Sequence, residues 1–306
     1  MRKILLILLP AIFFMACDKV DRPVQNPNAL SKCPFNDTIV VTNIGSNGFR
    51  KVLLEDYTGH TCGNCPRAAR VAEAIVHTYG NKVVVIANHV SSQFAQPVSE
   101  THYKEDFRNE TGNDWDVFFG MSSAGLPKGN VNRTKPYPRG DGAWTGLVET
   151  ALNQPQSAKL DVTSYYDRTQ KLLNVDVKTT FLQAVAGNIK MVIVLTQDSI
   201  ISEQKDYAPP AGVVTEDDGE TRPDYLFENL LIGSVNGTWG QLVKESPAKG
   251  DTLTIKNSCY VLGKCFFKNT VCVNDKNVNV VVFVYNDETK EVLQVEKLRI
   301  MGDASQ

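Results

Sequence analysis

Cys62 and Cys65 stand two residues apart in the run Thr58-Gly59-His60-Thr61-Cys62-Gly63-Asn64-Cys65-Pro66. Two thiols at this spacing can close a disulfide and exchange it with a partner's thiols. A helix pattern begins at Cys65-Pro66, and a helix N-terminus carries unpaired N–H groups and partial positive charge, which favour thiolate over thiol. Cys62 is then the exposed, more acidic sulfur that attacks, and Cys65, inside the first turn, is the resolving partner. Pro66 fits that turn because its missing N–H is not needed there. Exchange depends on thiolate fraction and leaving-group pKa together. Spacing fixes neither, so a redox-active dithiol and an inert structural bridge both stay open. A metal site needs four ligands. His60 and His89 could join the two cysteines on paper, but one CxxC without a second paired motif supports no metal, and no cofactor is expected.

The elements that hold this pair follow from hydrophobic spacing. Lys51–Tyr57 reads as a short apolar strand. Ala68, Val71, Ala72, Ile75, Val76 and Tyr79 recur at three- and four-residue intervals up to a stop at Gly80, predicting a helix. Asn81–Val90 is nearly continuous in apolar residues, the mark of a strand covered on both faces. Strand, helix and buried strand in this order form a βαβ unit. Leu126-Pro127 then precedes a short segment, Gly129–Arg133, and Thr145–Leu152 reads as another helix. Residues 46–155 are thus predicted as an α/β domain. From 156 to 306 the pattern changes to short strands at Lys159–Tyr165, Leu172–Thr180, Ile189–Thr196, Asp251–Lys256, Val278–Tyr285 and Glu291–Leu298, which predict an all-β sandwich. The polar, acidic stretch between Ser202 and Tyr225 reads as a long solvated loop. A binding loop is the sharper reading, since loops of that length are uncommon without a role.

The N-terminus bears on how the cysteines are read. Met1-Arg2-Lys3 is followed by an apolar run from Ile4 to Ala16, the layout of a secretory signal. The run would span roughly 20 Å as a helix, short of a hydrocarbon core of about 30 Å. Ala16-Cys17 is the core of a bacterial lipobox. The expectation is a signal peptide over 1–16, lipid on Cys17, and a tether over 17–45. Setting Cys17 aside leaves six of seven cysteines, and thiols outside the cytoplasm tend to pair. Beside Cys62–Cys65, the set Cys33, Cys259, Cys265 and Cys272 allows three pairings. A net charge of −2 argues against nucleic acid or anionic lipid as partner. No Gly-x-Ser-x-Gly, phosphate loop or His-Glu-x-x-His occurs to start a hydrolase or nucleotide-binding reading.

The CxxC in a βαβ unit, Asp56 six residues before Cys62, and Leu126-Pro127 ahead of a strand together resemble the thioredoxin superfamily. That resemblance implies that Asp56 is a buried strand aspartate relaying a proton near the resolving cysteine. It also implies that Pro127 is a cis-proline packed against the bridge and shaping a substrate groove. Two features depart from the pattern. His60-Thr61 replaces the tryptophan that precedes the first cysteine, and Gly63-Asn64 lacks the proline of reducing members and the histidine of strongly oxidising ones.

Over nearly the whole mature chain the sequence also resembles the outer membrane protein 28 family of Bacteroidetes lipoproteins. The likeness is carried by Leu54–Pro66, the Ala/Val-rich helix, Gly125-Leu126-Pro127 leading to Asn130-Val131-Asn132-Arg133, and Asn236-Gly237-Thr238-Trp239-Gly240. It implies a lipid-anchored outer-membrane protein with a thioredoxin-like domain followed by an immunoglobulin-like sandwich. In that phylum Asp-Ser/Thr-aliphatic triplets signal O-glycosylation, which points to Thr38, Ser199 and Thr252. Family members have been suggested as adhesins without an assigned activity. The favoured role is a surface binding or adhesion module. The alternative is a membrane-tethered thiol–disulfide oxidoreductase acting on envelope proteins, and a third reading is an accessory lipoprotein of a larger assembly. Expected partners are the membrane, through Cys17, and an envelope or extracellular protein; oligomeric state is open.

Overall fold

The computed structural model describes residues 37–45, 48–263, 265–266 and 271–302. The signal segment, Cys17 and Cys33 lie outside them. The first strand, β1 (Thr38–Asn43), falls in the stretch assigned to the tether and corrects that assignment. Its residues alternate between exposed and half-buried positions, and β-branched side chains at 38–41 suit a pleated surface. Six residues are too few to stand out as periodicity.

β2 (Val52–Thr58) and β3 (Val83–His89) are parallel and joined by α1 (Cys65–Tyr79), as the βαβ pattern predicts. Gly80 closes the helix at φ 58°, a conformation only glycine adopts without cost. A one-turn helix, α2 (Ser92–Ala95), follows. The unanticipated α3 (Glu110–Phe119) is capped by the Asn109 side chain, which accepts the Gly112 N–H at 2.9 Å. β4 (Lys128–Val131) runs antiparallel to β2, and α4 (Trp144–Leu152) closes the first half.

The second half supplies β5 (Ala158–Asp167), β6 (Leu172–Phe181), β7 (Asn188–Gln197), β8 (Ile200–Lys205), β9 (Thr221–Phe227) and β10 (Leu230–Ser234). Then come β11 (Gln241–Glu245), β12 (Thr252–Val261), β13 (Cys265–Phe266), β14 (Val271–Cys272), β15 (Val278–Asn286) and β16 (Val292–Arg299). The fold is mixed α/β, mostly sheet with few helices. No helix among the described residues is long and apolar enough to cross a membrane.

Of the two large sheets, one has four strands in the order β1-β5-β6-β12 and the other eight, β16-β15-β7-β10-β3-β2-β4 with β11 added on β7; β8-β9 and β13-β14 form two-stranded sheets. No sheet boundary falls at residues 155–156. The edge of β3 would otherwise present unpaired backbone, and β10 covers it in parallel, with Leu230 opposite Ala87. The main core lies between the two sheets and includes Leu160, Val175, Ile193 and Val280.

β2 divides two further cores by simple alternation. Leu53 and Tyr57 face a cluster with Trp115, Phe119 and Phe283. Val52 and Leu54 face α1 and α4 through Ala68, Ile75, Trp144 and Val148. In the first of these cores lies a wholly buried Arg133, whose Nε and Nη2 donate to the two Glu55 carboxylate oxygens at 2.9 and 2.6 Å. Trp115, Phe283 and Phe119 surround the guanidinium at 4.4, 4.8 and 5.1 Å. Strands and helix from both halves thereby close on one charge.

Candidate functional site

Cys62 and Cys65 are joined in a disulfide across a Cα–Cα distance of 5.4 Å. Cys65 is the first residue of α1 and Pro66 the second, while Asn64 gives no side-chain cap. The helix N-terminus is therefore open towards the bridge. Cys62 is 3% exposed and Cys65 1%, so the expected exposed Cys62 is corrected. The cause is a segment far away in sequence.

β8 and β9 form a separate two-stranded hairpin that lies across the motif. Lys205 N–H donates to the His60 carbonyl and Tyr207 N–H to the Gly63 carbonyl, each at 2.8 Å. The Gln204 side-chain amide donates to the carbonyls of Gly59 and Cys62 at 3.3 and 3.2 Å. The Tyr207 ring covers Gly63 so closely that a Cβ there would sit 2.6 Å from it. Asp206, buried, meets Arg70 at 3.1 Å and Arg222 at 3.6 Å. The two ends of the stretch read as a solvated loop are thus strands of a docked hairpin, with Gln204, Asp206 and Thr221 buried, while residues 207–220 between them are exposed or half-buried. The polarity of the two ends is matched by backbone carbonyls and arginines instead of water, the condition for burying polar groups.

Beneath the bridge, between α1 and β9, runs a cavity of about 560 Å³ whose lining includes Asp56, Cys65, His89, Arg222 and Tyr225. Asp56 Oδ1 has no hydrogen-bond partner among the described residues. Burial, reinforced by the charge of Asp141, pushes the Asp56 pKa up to about 8, so this carboxyl is protonated at neutral pH. Burial also holds His60 and His89 below the usual histidine value, His89 further pressed down by His60. Both are neutral. His60 Nε2 lies 3.1 Å from the Gln96 carbonyl, and its ring stacks on Tyr103. Both ring nitrogens of His89 lack partners among the described residues. The His60 and His89 rings are 6.4 Å apart and the cysteines are bonded to each other, so the four do not form a metal centre.

The Leu126–Pro127 bond is cis. Lys128 pairs with Tyr57, which sets buried Pro127 at the same end of the sheet as the bridge. The structure thus gathers Cys62, Cys65 and Asp56 at one end of the sheet, with Pro127 at that end too. Sequence reasoning named His89 only as a metal ligand on paper and missed Gln204, Arg222 and Tyr225. The unusual length of the 202–225 stretch was the one available signal. A different group, His102, Glu203 and Glu216, could hold a divalent ion, with His102 Nδ1 3.2 and 3.7 Å from the two carboxylates; sequence spacing gave no hint of it. Thr38, Ser199 and Thr252 are exposed. Cys265 and Cys272 are backbone partners across β13 and β14.

The chain is similar to HBP35 of Porphyromonas gingivalis, with a TM-score of 0.55 and 15% identity over 86% of this chain and 79% of that one. A protein of Agrobacterium tumefaciens aligns with a TM-score of 0.47 and 13% identity over 85% of this chain and 98% of that one. A domain of the outer membrane lipoprotein Omp28 from Porphyromonas gingivalis aligns at 0.28 and 17% over 48% of this chain and 91% of the domain. No curated protein matches the sequence. The profile of the outer membrane protein Omp28 family matches residues 119–303. With that match covering more than half of its length, the chain belongs to the Omp28 family of outer membrane proteins.

Proposed function

We propose that this protein is a lipid-anchored thiol–disulfide oxidoreductase of the outer membrane. In this reading Cys17 carries the anchor and residues 46–155 form a thioredoxin-like unit, its sheet prolonged by strands of an immunoglobulin-like second half. The observation that carries it is Asp56. A buried carboxyl oxygen without a hydrogen-bond partner costs stability, and Asp56, whose Oδ1 has none among the described residues, shares a cavity with Cys65. Perturbed acids in such clefts favour a chemical role over a structural one.

The exchange runs as follows. A partner thiolate attacks Cys62 Sγ, a new S–S bond forms, and the Cys62–Cys65 bond breaks. The bond pair goes to Cys65, which takes the proton held by Asp56. A second partner thiolate then attacks the mixed disulfide and releases Cys62. Cys62 leaves as a thiolate and takes one of the two protons that the partner's thiols gave to water, and Asp56 regains the other; in sum two electrons and two protons pass to the bridge, and the partner's dithiol leaves as a disulfide. Equilibration against thiol–disulfide buffers tests this. A potential in the range of exchanging dithiols is expected, whereas one below about −300 mV would class the bridge as structural.

The docked hairpin favours a second reading, a surface binding or adhesion module in which the bridge only staples α1. There, replacing both Cys62 and Cys65 by serine leaves partner binding intact in the folded protein. Loss of binding would exclude it.

A further inference from the structure

The hairpin closes the bridge in a particular way. Lys205, the last residue of β8, and Tyr207, two residues on, give their N–H groups to the carbonyls of His60 and Gly63, on either side of the first cysteine. Between them the Asp206 carboxylate points the other way, to Arg70 and Arg222. Arg70 also donates to the Ala208 carbonyl at 3.3 Å. Residues 204–207 therefore contact the CxxC loop as a strand added to a receptor edge would, with main-chain bonds on one side and a side-chain pocket on the other. Remove this segment, and the carbonyls of His60 and Gly63 lose these donors, those of Gly59 and Cys62 keep only the N–H groups of Cys62 and Cys65, and two arginines lose their carboxylate. Buried acceptors of that kind need another partner or water.

We infer that residues 204–207 occupy, in cis, the docking groove of a polypeptide partner. The groove takes an extended, cysteine-bearing segment with free N–H groups at alternate positions and an acidic side chain between them. The hairpin is its built-in competitor, so the bridge reacts with a protein only after the hairpin lifts. This rests on the exchange reading above and supplies its substrate class and its control. Lifting the segment parts Gln204 and Lys205 from Arg222 and Thr221 on β9 and the Asp206 N–H from the Glu220 carbonyl, while Cys65 stays at the start of α1 and Asp56 beside it in the cavity.

The test uses the full chain with its bridge oxidised and two ways of loosening the hairpin. One is Asp206→Asn combined with Tyr207→Gly, which weakens the contact from the hairpin side. The other is Arg70→Ala, which weakens it from α1. Hydrogen exchange at the Lys205 and Tyr207 amides reports opening. Bridge reduction is then followed with a reduced thioredoxin, a macromolecular dithiol, and with a small water-soluble phosphine. Opening should speed reduction by thioredoxin about tenfold or more in both variants, in proportion to the rise in the open population, and reduction by the phosphine much less. A synthetic peptide of residues 202–209 in large excess should slow the thioredoxin reaction of the Asp206→Asn, Tyr207→Gly variant, in which Arg70 and Arg222 are intact, and the same peptide with asparagine in place of its aspartate should do so less. Thioredoxin reduction unchanged in variants whose amides exchange faster would overturn the inference, and so would equal slowing by the two peptides. A bridge that the phosphine reduces readily, yet that lies too low in potential for any dithiol, would instead overturn the exchange reading and leave the groove standing.

Discussion

Glu55 and Asp56 are neighbours on β2, both buried, and they have opposite surroundings. Glu55 faces the aromatic core, where Arg133 grips both carboxylate oxygens and tryptophan and phenylalanine rings wall off the pair. Asp56 faces α1 and the cavity, with no partner for Oδ1 among the described residues and a second acid, Asp141, nearby. One strand thus presents a neutralised charge to the face that holds the fold together, and a carboxyl made hard to ionise to the face that holds the disulfide. The alternation of a β-strand makes this separation possible with no intervening residue. The lesson is that burial alone does not sort structural from chemical acids; what faces them does.

The largest effect should come from breaking the paired side. Arg133→Met leaves Glu55 buried without its cation and should cost about 3–5 kcal/mol in denaturant unfolding. Adding Glu55→Met should recover much of that, because removing both members of a buried pair removes the uncompensated charge. A double variant as unstable as the single one would mean that the guanidinium matters mainly as packing for the rings around it, and the contrast with Asp56 would weaken.

Asp56→Asn should act in the opposite sense and depend on pH. The folded pKa of Asp56 is raised from 3.8 to about 8. Below pH about 4 the carboxyl is protonated in both folded and unfolded chains, and its stabilising contribution is complete. As pH rises towards 8, the unfolded chain ionises while the folded one does not, and the wild type loses stability. The asparagine variant escapes that loss. It should therefore be the more stable protein at neutral pH, by about 2–4 kcal/mol once water in the cavity is allowed for, with the difference shrinking to little by pH 3. Chemical unfolding at a series of pH values measures it. Reduction of the bridge should slow in the same variant, since Cys65 loses its proton donor; a faster or unchanged rate would separate stability from chemistry at this residue.

What could be read from the sequence here was local. The CxxC, the helix from Cys65 to Gly80 and the strands flanking it follow from spacing within forty residues, and Leu126-Pro127 was picked out by its order ahead of β4. What escaped depended on partners far along the chain. The hairpin was read as solvated because its residues are polar, yet Asp206 is buried against Arg70, separated from it by 136 positions. Arg133 stood in a recognised motif, but nothing local says that Glu55, 78 residues earlier, neutralises it. α3 was missed because its turns carry Thr111, Gly112 and Asp116 on buried positions beside Trp115 and Phe119, which blurs the apolar stripe that marks a helix. The family likeness shows the same division. Its most specific part in the sequence is the cysteine block at 54–66, whereas the family profile matches residues 119–303, where the proline loop at 125–133 and a short glycine-tryptophan run carry the likeness.

The finest test of the comparison lies at Asp141. It is buried and paired with Arg67 Nη1 at 2.8 Å, while Arg67 itself is largely in solvent. Its charge is the second cause, after burial, of the high Asp56 pKa. Asp141→Asn removes that repulsion and leaves the Arg67 cation less fully neutralised, and both changes favour ionised Asp56. The midpoint of Asp56 should fall by up to about one unit, read directly by carbon NMR titration of the aspartate carboxyls in the oxidised protein. The pH at which reduction slows should move with it. Because burial remains, the midpoint should stay well above that of an exposed aspartate. A fall to the ordinary range would make Asp141, and not burial on that face of β2, the cause that keeps Asp56 protonated. The two acids would then differ in their charged neighbours, a cation beside one and an anion beside the other, more than in how far each face excludes water.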